Sequence, residues 1–380
     1  MKQTLQQSLG QSWQRILALS IKELLAVLKD RRSRIVLVVP PILQLLVFGY
    51  AATFDLNDIP VAVYNEDRSA PARELVARVV GSPHFHLLAR IDNDAQIAPL
   101  IDNREVLVVL RLGQRFSADL YRGRPARVQL IIDGRNSNTA LLVQGYLRSI
   151  VHEFNLDWAR RHGQPPPPAT VEVRSWFNSN LESRWFIVPG IVGLLSLVIT
   201  TIVTALSVAR EREAGTFDQL LVTPLRPVEI LIGKSIPGIL IGLFEGSFIL
   251  LMAVVWFEVP LSGSLGALYI GMFLFILSGV GIGLMISSLA LTQQQGMLGA
   301  FLFVVPAVIL SGFATPIENM PTVVQWITYA DPLRYFLVVL RGVFLEGNTA
   351  PMLVGYYWPM ALIAIVNLGF AAWLFRHRMN

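Results

Sequence analysis

The sequence contains no cysteine among its 380 residues, which excludes disulfides, thiol nucleophiles and thiolate metal sites. Charged side chains are also scarce, at 15% of the chain, whereas soluble domains carry about 25%. Hydrophobic residues reach 53%, a balance typical of a membrane protein. The net charge is +5, but seven of the 31 basic residues precede residue 35, beside the first apolar run. Because they form no single patch, we expect no binding to nucleic acid.

Apolar runs predict six membrane-spanning helices, since each run approaches the ~20 residues that cross a bilayer. The predicted spans are residues 35–54, 185–209, 235–257, 267–290, 297–314 and 355–375. Lysine and arginine cluster before the first span, after the second and after the last. The positive-inside rule puts these clusters in the cytoplasm, together with both termini.

This orientation places residues 55–184 on the extracytoplasmic side of the membrane. Strands are predicted in IPVAVYNED, EVLVVLRL and RVQLIIDGRNS, and helices in APARELVARVVGS and at about residues 138–161. Alternating strands and helices indicate a small α/β domain with a mixed sheet. The predicted fold class is a polytopic α-helical membrane protein with six transmembrane helices and an α/β extracytoplasmic domain inserted between the first and second.

Residues 1–34 are predicted to contain an amphipathic helix. Its apolar side chains recur every three to four residues, at Trp13, Ile16, Leu17, Ile21, Leu24 and Leu28. Because basic side chains lie between them, we expect the helix to rest on the inner membrane surface. The alternative is a cytoplasmic helix packed on a partner.

The polar stretch EREAGTFDQLLVTPLRPVEILIGK joins the second and third spans. Gly215 permits a bend there, and Thr216 offers a cap for a short helix that Pro224 and Pro227 would end. A short rigid helix on the membrane surface can dock in a cleft of a soluble partner and pass its movement to both spans.

The same stretch resembles the loop between the second and third spans of membrane subunits of the ABC type-2 transporter family. A second stretch, LSGFATPIENMPTVVQWITYADPLRYFLVVLRGVFLEG, resembles that family's outer segment before the last span. We predict a re-entrant segment over residues 315–354 and a five-helix transmembrane domain over 185–380, with a coupling loop at 210–234. The resemblance is to the bacterial multidrug-exporter-like branch, located in the inner membrane.

The resemblance implies a permease subunit of an ATP-driven exporter that binds no cofactor itself. ATP and Mg would be held by separate ABC ATP-binding subunits, and a second permease copy or paralogue and a periplasmic adaptor protein are further expected partners. The coupling positions it implies are Glu211, Glu213, Gly215, Thr216, Leu220, Thr223 and Pro224.

Glu245 lies near the middle of the third predicted span, where an ionisable side chain is costly and usually faces the helix bundle or a water-filled path. It would contact the cargo or act as a hydrogen-bonded strut between helices. Thr200, Thr201 and Thr204 are candidate partners in the second span, and Gln44 in the first span invites the same two interpretations.

Two motifs have simpler interpretations. VEILIGKS ends like the phosphate-binding loop G-x-x-x-x-G-K-[ST], but Val228 replaces its first glycine, so we expect no nucleotide site. His84 and His86 would share one face of a strand, yet no further ligand completes a metal site in the sequence. We therefore predict neither catalytic nor metal-binding residues.

Two other functions remain open at this stage. A receptor would sense a ligand through the outer domain, although the sequence shows no cytoplasmic output domain. A gradient-driven transporter would need several intramembrane carboxylates or inverted repeats. The expected cargo is a hydrophobic or amphipathic small molecule or lipid.

Overall fold

The computed structural model describes residues 2–51, 56, 58–163, 176–178, 182–217, 219 and 225–378; for 2–10, 32, 33, 36, 51 and 378 it describes the backbone alone. Two compact units are present, Phe54–Arg174 and the combination of Met1–Thr53 with Ser175–Asn380. The helices are α1 (Lys2–Lys29), α2 (Arg31–Ala51), α3 (Ala70–Val80), α4 (Ile97–Asp102), α5 (Phe116–Tyr121), α6 (Ser137–His162), α7 (Ser183–Glu213), α8 (Pro227–Val255), α9 (Leu265–Leu289), α10 (Gln293–Leu310), α11 (Thr322–Ile327), α12 (Pro332–Arg341) and α13 (Ala350–Arg378).

Five helices, α7, α8, α9, α10 and α13, are long and apolar enough to cross a membrane. The first predicted span falls on α2, whose apolar part, Leu37–Tyr50, is shorter. Residues 52–55, the end of that predicted span, lie outside the described residues. The helical class is therefore confirmed, while the sixth span stays a prediction.

The contact between α7 and α8 depends on small residues. Gly238, Gly242 and Gly246 recur at every fourth position of α8 and form one stripe. A Cβ added at Gly242 would overlap the Thr200 hydroxyl, and one at Gly246 would lie 3.1 Å from Ser196 Oγ. Glycine is needed here because it allows the two backbones to approach closely. In lipid there is no hydrophobic driving force between helices, so van der Waals packing at such close contacts stabilises their association.

Helix α1 differs from a surface helix of a soluble protein in the large apolar side chains that it exposes. Its buried face includes the polar residues Ser20 and Glu23, which lie against α7 and α8. Its opposite face exposes large apolar side chains, at Trp13, Leu17, Ile21, Leu25 and Leu28. A helix is thus present where the amphipathic helix was predicted, and its placement at the inner membrane surface stays a prediction.

Short helices connect α10 to α13. Among them, α12 is amphipathic and buries one side, including Leu333, Phe336 and Leu340, against α7, α9 and α13. Phe336 stacks on Phe275 of α9 with ring centroids 4.4 Å apart. Asp331 caps α12 by accepting from the Leu333 backbone N–H at 2.9 Å.

The other unit is an α/β domain with strands β1 (Ile59–Asn65), β2 (Phe85–Ile91), β3 (Val108–Leu112) and β4 (Val128–Ile132). The strand order is β2-β1-β3-β4; β1 is parallel to both neighbours, and β3 is antiparallel to β4. Along β1, Val61 and Val63 belong to one core cluster and Ala62 to another, so both faces of the sheet are covered. The sheet is mixed, as the alternation of elements predicted.

Candidate functional site

Lys234, near the start of α8, is buried among charges from two other helices. Its side chain is 1% exposed. The ammonium Nζ lies 3.0 Å from Glu23 Oε1 of α1 and 2.7 Å from Glu211 Oε2 of α7. A buried ammonium without partners would be very costly, so the two carboxylates fix where these three helices meet.

A second lysine and a backbone contact extend this cluster. Lys22 Nζ, whose side chain is 59% exposed, lies 2.9 Å from Glu211 Oε1. The Ser20 hydroxyl donates to the Gly233 carbonyl oxygen at 3.2 Å. Burial raises the pKa of Glu23 above its usual value, and the nearby Lys234 only partly offsets this. The charged state of the cluster therefore depends on the buried lysine.

The two residues after Glu211 contact other helices. Arg212 donates to the carbonyl oxygens of Ser288 and Ala290, at 2.9 and 3.2 Å, where α9 ends. Glu213 Oε2 accepts from the Gln293 backbone N–H at 2.8 Å, where α10 begins. Three consecutive side chains at the end of α7 therefore contact four other helices. Glu211 contacts α1 and α8, Arg212 contacts the end of α9, and Glu213 contacts the start of α10.

Beyond α7 the chain turns at Gly215, whose φ of +68° favours glycine. The Thr216 backbone N–H and hydroxyl both donate to the Glu211 carbonyl oxygen, at 2.9 and 3.3 Å. Phe217 packs edge-on against Phe375 of α13, with centroids 6.1 Å apart. The predicted coupling residues Leu220, Thr223 and Pro224 lie outside the described residues.

The structure explains the sequence VEILIGKS. Its lysine is Lys234, which two carboxylates already hold, and Ser235 Oγ donates to the Leu231 carbonyl oxygen within the same helix at 2.7 Å. A phosphate-binding loop needs a free lysine and a strand before it, and neither is present in this described segment.

Glu245 lies at an apolar cavity of about 610 Å³ between α1, α2 and α8. Side chains such as Leu37, Ile42 and Phe244 line it. Glu245 is 6% exposed, and neither carboxyl oxygen has a hydrogen-bond partner among the described residues. Such a group lacks the partners that buried polar groups normally have, which marks it as a functional candidate.

The proposed threonine partners do not hydrogen-bond to Glu245 within the described part of the chain. Thr204 Oγ1 donates to the Thr200 carbonyl oxygen at 2.7 Å, and the hydroxyls of Thr200 and Thr201 have no partner there. Gln44 is exposed on α2. The three threonine side chains are buried between helices. No hydrogen bond joins them to Glu245 among the described residues.

The histidine pair is separated. His84 precedes β2 and stacks on Tyr146 at 4.2 Å, whereas His86 within the strand pairs with Asp58. Within the described part of the chain, no cluster of three or more histidine, cysteine, aspartate or glutamate side chains could hold a metal ion.

Sequence reasoning missed Lys22, Glu23, Arg212 and Lys234 as site residues. One signal was available: Glu23 and Ser20 lie three residues apart and therefore share one face of α1, where a carboxylate that faces the protein interior needs a partner. Lys234 at the end of an apolar span was a second signal, because a charge there needs a partner.

Comparison with known sequences gives a consistent family. The profile described as "ABC-2 family transporter protein" matches residues 31–373. The "Probable multidrug ABC transporter permease YbhR" of Escherichia coli (strain K12) is 36% identical, over 96% of this chain and 99% of that protein. The "Probable multidrug ABC transporter permease YbhS" of the same strain is 34% identical, over 96% and 97%. The "Linearmycin resistance permease protein LnrN" of Bacillus subtilis (strain 168) is 21% identical, over 95% and 98%.

Replacing the buried lysine should be far more damaging than replacing the exposed one. We expect Lys234→Met to lower the free energy of unfolding by about 3–5 kcal/mol, because two buried carboxylates lose their partner. Lys22→Met should cost about 1 kcal/mol or less, since its ammonium is largely solvated. Adding Glu23→Gln to Lys234→Met should recover part of the loss. Unfolding in detergent measures all three, and equal losses for both lysines would contradict the assignment.

Proposed function

This chain belongs to the ABC-2 family of transporter proteins and is the permease subunit of an ABC exporter, and we propose that the end of α7 with the following turn receives the driving movement. Permease subunits of this kind work with ATP-binding subunits and do not hydrolyse ATP themselves. Family membership decides against a receptor or a gradient-driven transporter.

The observation that carries the proposal is the set of contacts made by three consecutive residues. Glu211 pairs with Lys234 and Lys22, Arg212 holds the end of α9, and Glu213 holds the start of α10. A push on the turn at Gly215 would therefore act on several helices at once. We propose that residues 211–224 form the docking surface for the ATP-binding subunit.

The arrangement in the membrane is part of the proposal. The turn and both termini would lie in the cytoplasm of a bacterium and the α/β unit outside, since the basic residues cluster around α1, the α7–α8 turn and the end of α13. A second copy or a paralogue would complete the pathway, and the α/β unit would offer a surface to a periplasmic adaptor protein.

The cargo proposal rests on the Glu245 cavity. A cavity of about 610 Å³ has the size of a small-molecule site, which is commonly apolar with few polar groups. The unpartnered carboxyl would recognise a hydroxyl or an amine on an otherwise hydrophobic molecule. The printed names of two relatives, which describe multidrug permeases, support a small-molecule cargo.

Docking is tested by reversing one charge. We expect Glu213→Arg to reduce ATP hydrolysis by the assembled complex about tenfold or more, because like-charge contact in a docking cleft costs several kcal/mol. Glu213→Gln should retain most activity, since its side-chain oxygen still accepts from the Gln293 N–H. Gly215→Pro should be equally harmful, because proline cannot adopt the φ of +68°.

The control is Glu346→Arg, the same charge reversal beyond α12 and away from the turn. Co-purification of the ATP-binding subunit and its hydrolysis rate in membranes are the two readouts. If Glu213→Arg and Gly215→Pro keep both at the level of Glu346→Arg, the turn is not the docking surface.

Cargo contact is tested with two probes of equal chain length, dodecylamine and methyl dodecanoate. We expect dodecylamine to stimulate ATP hydrolysis by the complex more strongly, and Glu245→Leu to remove that preference. Phe248→Leu alters the same cavity wall but keeps the carboxyl, so it should retain the preference. A preference that persists in Glu245→Leu would make the carboxyl a bystander.

A further inference from the structure

A second large cavity lies at the opposite end of the helical unit from the Gly215 turn. Its volume is about 690 Å³. It is bordered by the first turn of α7, by the second and third turns of α13, by α12 and by the segment after α10. The lining is aromatic and cationic, and includes Phe186, Tyr329, Arg334, Arg341, Tyr356 and Trp358.

Arg341 is the unusual member of this lining. Its Nε and Nη2 atoms are buried and have no hydrogen-bond partner among the described residues. The guanidinium carbon lies 4.2 Å from the centroid of the Phe186 ring. This cation–π contact offsets part of the free-energy cost of desolvation, but it provides no hydrogen-bond acceptor for the N–H groups. Burial lowers the pKa of Arg341 from its usual value, with no carboxylate acting against it. Two buried guanidinium nitrogens with open donors are costly on this half-buried side chain unless a ligand supplies the acceptor.

The cavity carries an excess of positive charge. Arg334 lies 4.1 Å above the Tyr329 ring and donates to Thr328 Oγ1. Glu318 is the single carboxylate in the lining, and it forms no ion pair with either arginine in the described part of the chain. Two guanidinium groups therefore face one carboxylate of the lining, and Asp331 acts on Arg334 from outside it. Arg341 has no such carboxylate, so an anion beside it would be favoured over a cation or a neutral ligand.

The position of the cavity also bears on its ligand. It opens where α7 and α13 begin, at the end of membrane-crossing helices, and Tyr356 and Trp358 lie in its wall. Tryptophan and tyrosine are enriched at the level of lipid headgroups. A molecule bound here would place its charged group near Arg341 and could extend its chain along the apolar surface of α13.

We propose that this cavity binds an anionic amphiphile, with its phosphate or carboxylate on Arg341 and its hydrocarbon part along α13. Arginine suits this role because its planar donor set matches the two oxygens of a phosphate or carboxylate. The site is separate from the Glu245 cavity and from the turn, and it does not depend on the proposed docking.

The test uses the purified chain without ATP-binding subunits, so that its outcome is independent of the proposed function. The probes are dioctanoyl phosphatidic acid and dioctanoylglycerol, which differ only in the phosphate. Binding is followed by the rise in unfolding temperature. We expect the phosphatidic acid to bind about tenfold or more tightly than the diacylglycerol, and Arg341→Gln to remove that difference.

Two variants separate a binding role from a structural one. Arg376→Gln removes an exposed charge from the other end of α13 and should bind like the wild type. Without ligand, Arg341→Gln should unfold at the same or a higher temperature than the wild type, because it removes an unpartnered buried charge. If Arg341→Gln and Arg376→Gln bind the phosphatidic acid equally, or both probes bind equally, the proposal is wrong.

The amphiphile could come from the bilayer or from the transported cargo, and two further measurements distinguish these sources. A bilayer lipid should co-purify with the wild type and be depleted from Arg341→Gln. A cargo should instead stimulate ATP hydrolysis by the assembled complex when the phosphatidic acid is added, and Arg341→Gln should not respond. Either result supports the site; the absence of both, together with no binding, would overturn it.

Discussion

The ion pairs around Lys234 set the constraint on which the helical unit depends. An ammonium that is 1% exposed must have its carboxylates within about 3 Å, so α1, α7 and α8 have one relative position in which this charge is compensated. Hydrophobic contact alone would tolerate sliding between helices, because lipid tails are as apolar as leucine. The ion pairs therefore specify the relative position of α1, α7 and α8 next to the Gly215 turn.

Elsewhere in the helical unit, the helices pack as expected for helices surrounded by lipid. Glycines at every fourth position of α8 allow α7 to approach closely, and Ser196 and Thr200 of α7 pack against these glycines. Helix α1 buries the polar residues Ser20 and Glu23 and exposes a row of large apolar residues. Two functional candidates depart from this pattern: buried Glu245 and half-buried Arg341 carry buried polar atoms without described partners, and each lines a cavity.

Local features were predictable from the sequence, and long-range pairing was not. The bend at Gly215, the strand IPVAV and the long helix α6 follow from residue preference and periodicity, so their positions agree with the structure. The partner of Lys234 is Glu23, which is 211 positions away, and no local pattern identifies it. For the same reason the inward contacts of Glu211 with two lysines were not predictable, and its coupling role stays a prediction.

If the ion pairs around Lys234 hold during transport, α1, the end of α7 and the start of α8 must move as one body, and the join between α1 and α8 can be tested directly. The absence of native cysteine permits a clean test with the pair Leu19→Cys and Gly233→Cys. A Cβ on Gly233 would lie 3.1 Å from Leu19 Cβ, near the separation of about 3.5–4.5 Å found in disulfides. ATP hydrolysis and export by the assembled complex would be measured before and after oxidation. We predict that both survive the disulfide; loss of both on oxidation, with recovery on reduction, would show that these helices must separate and would contradict the account.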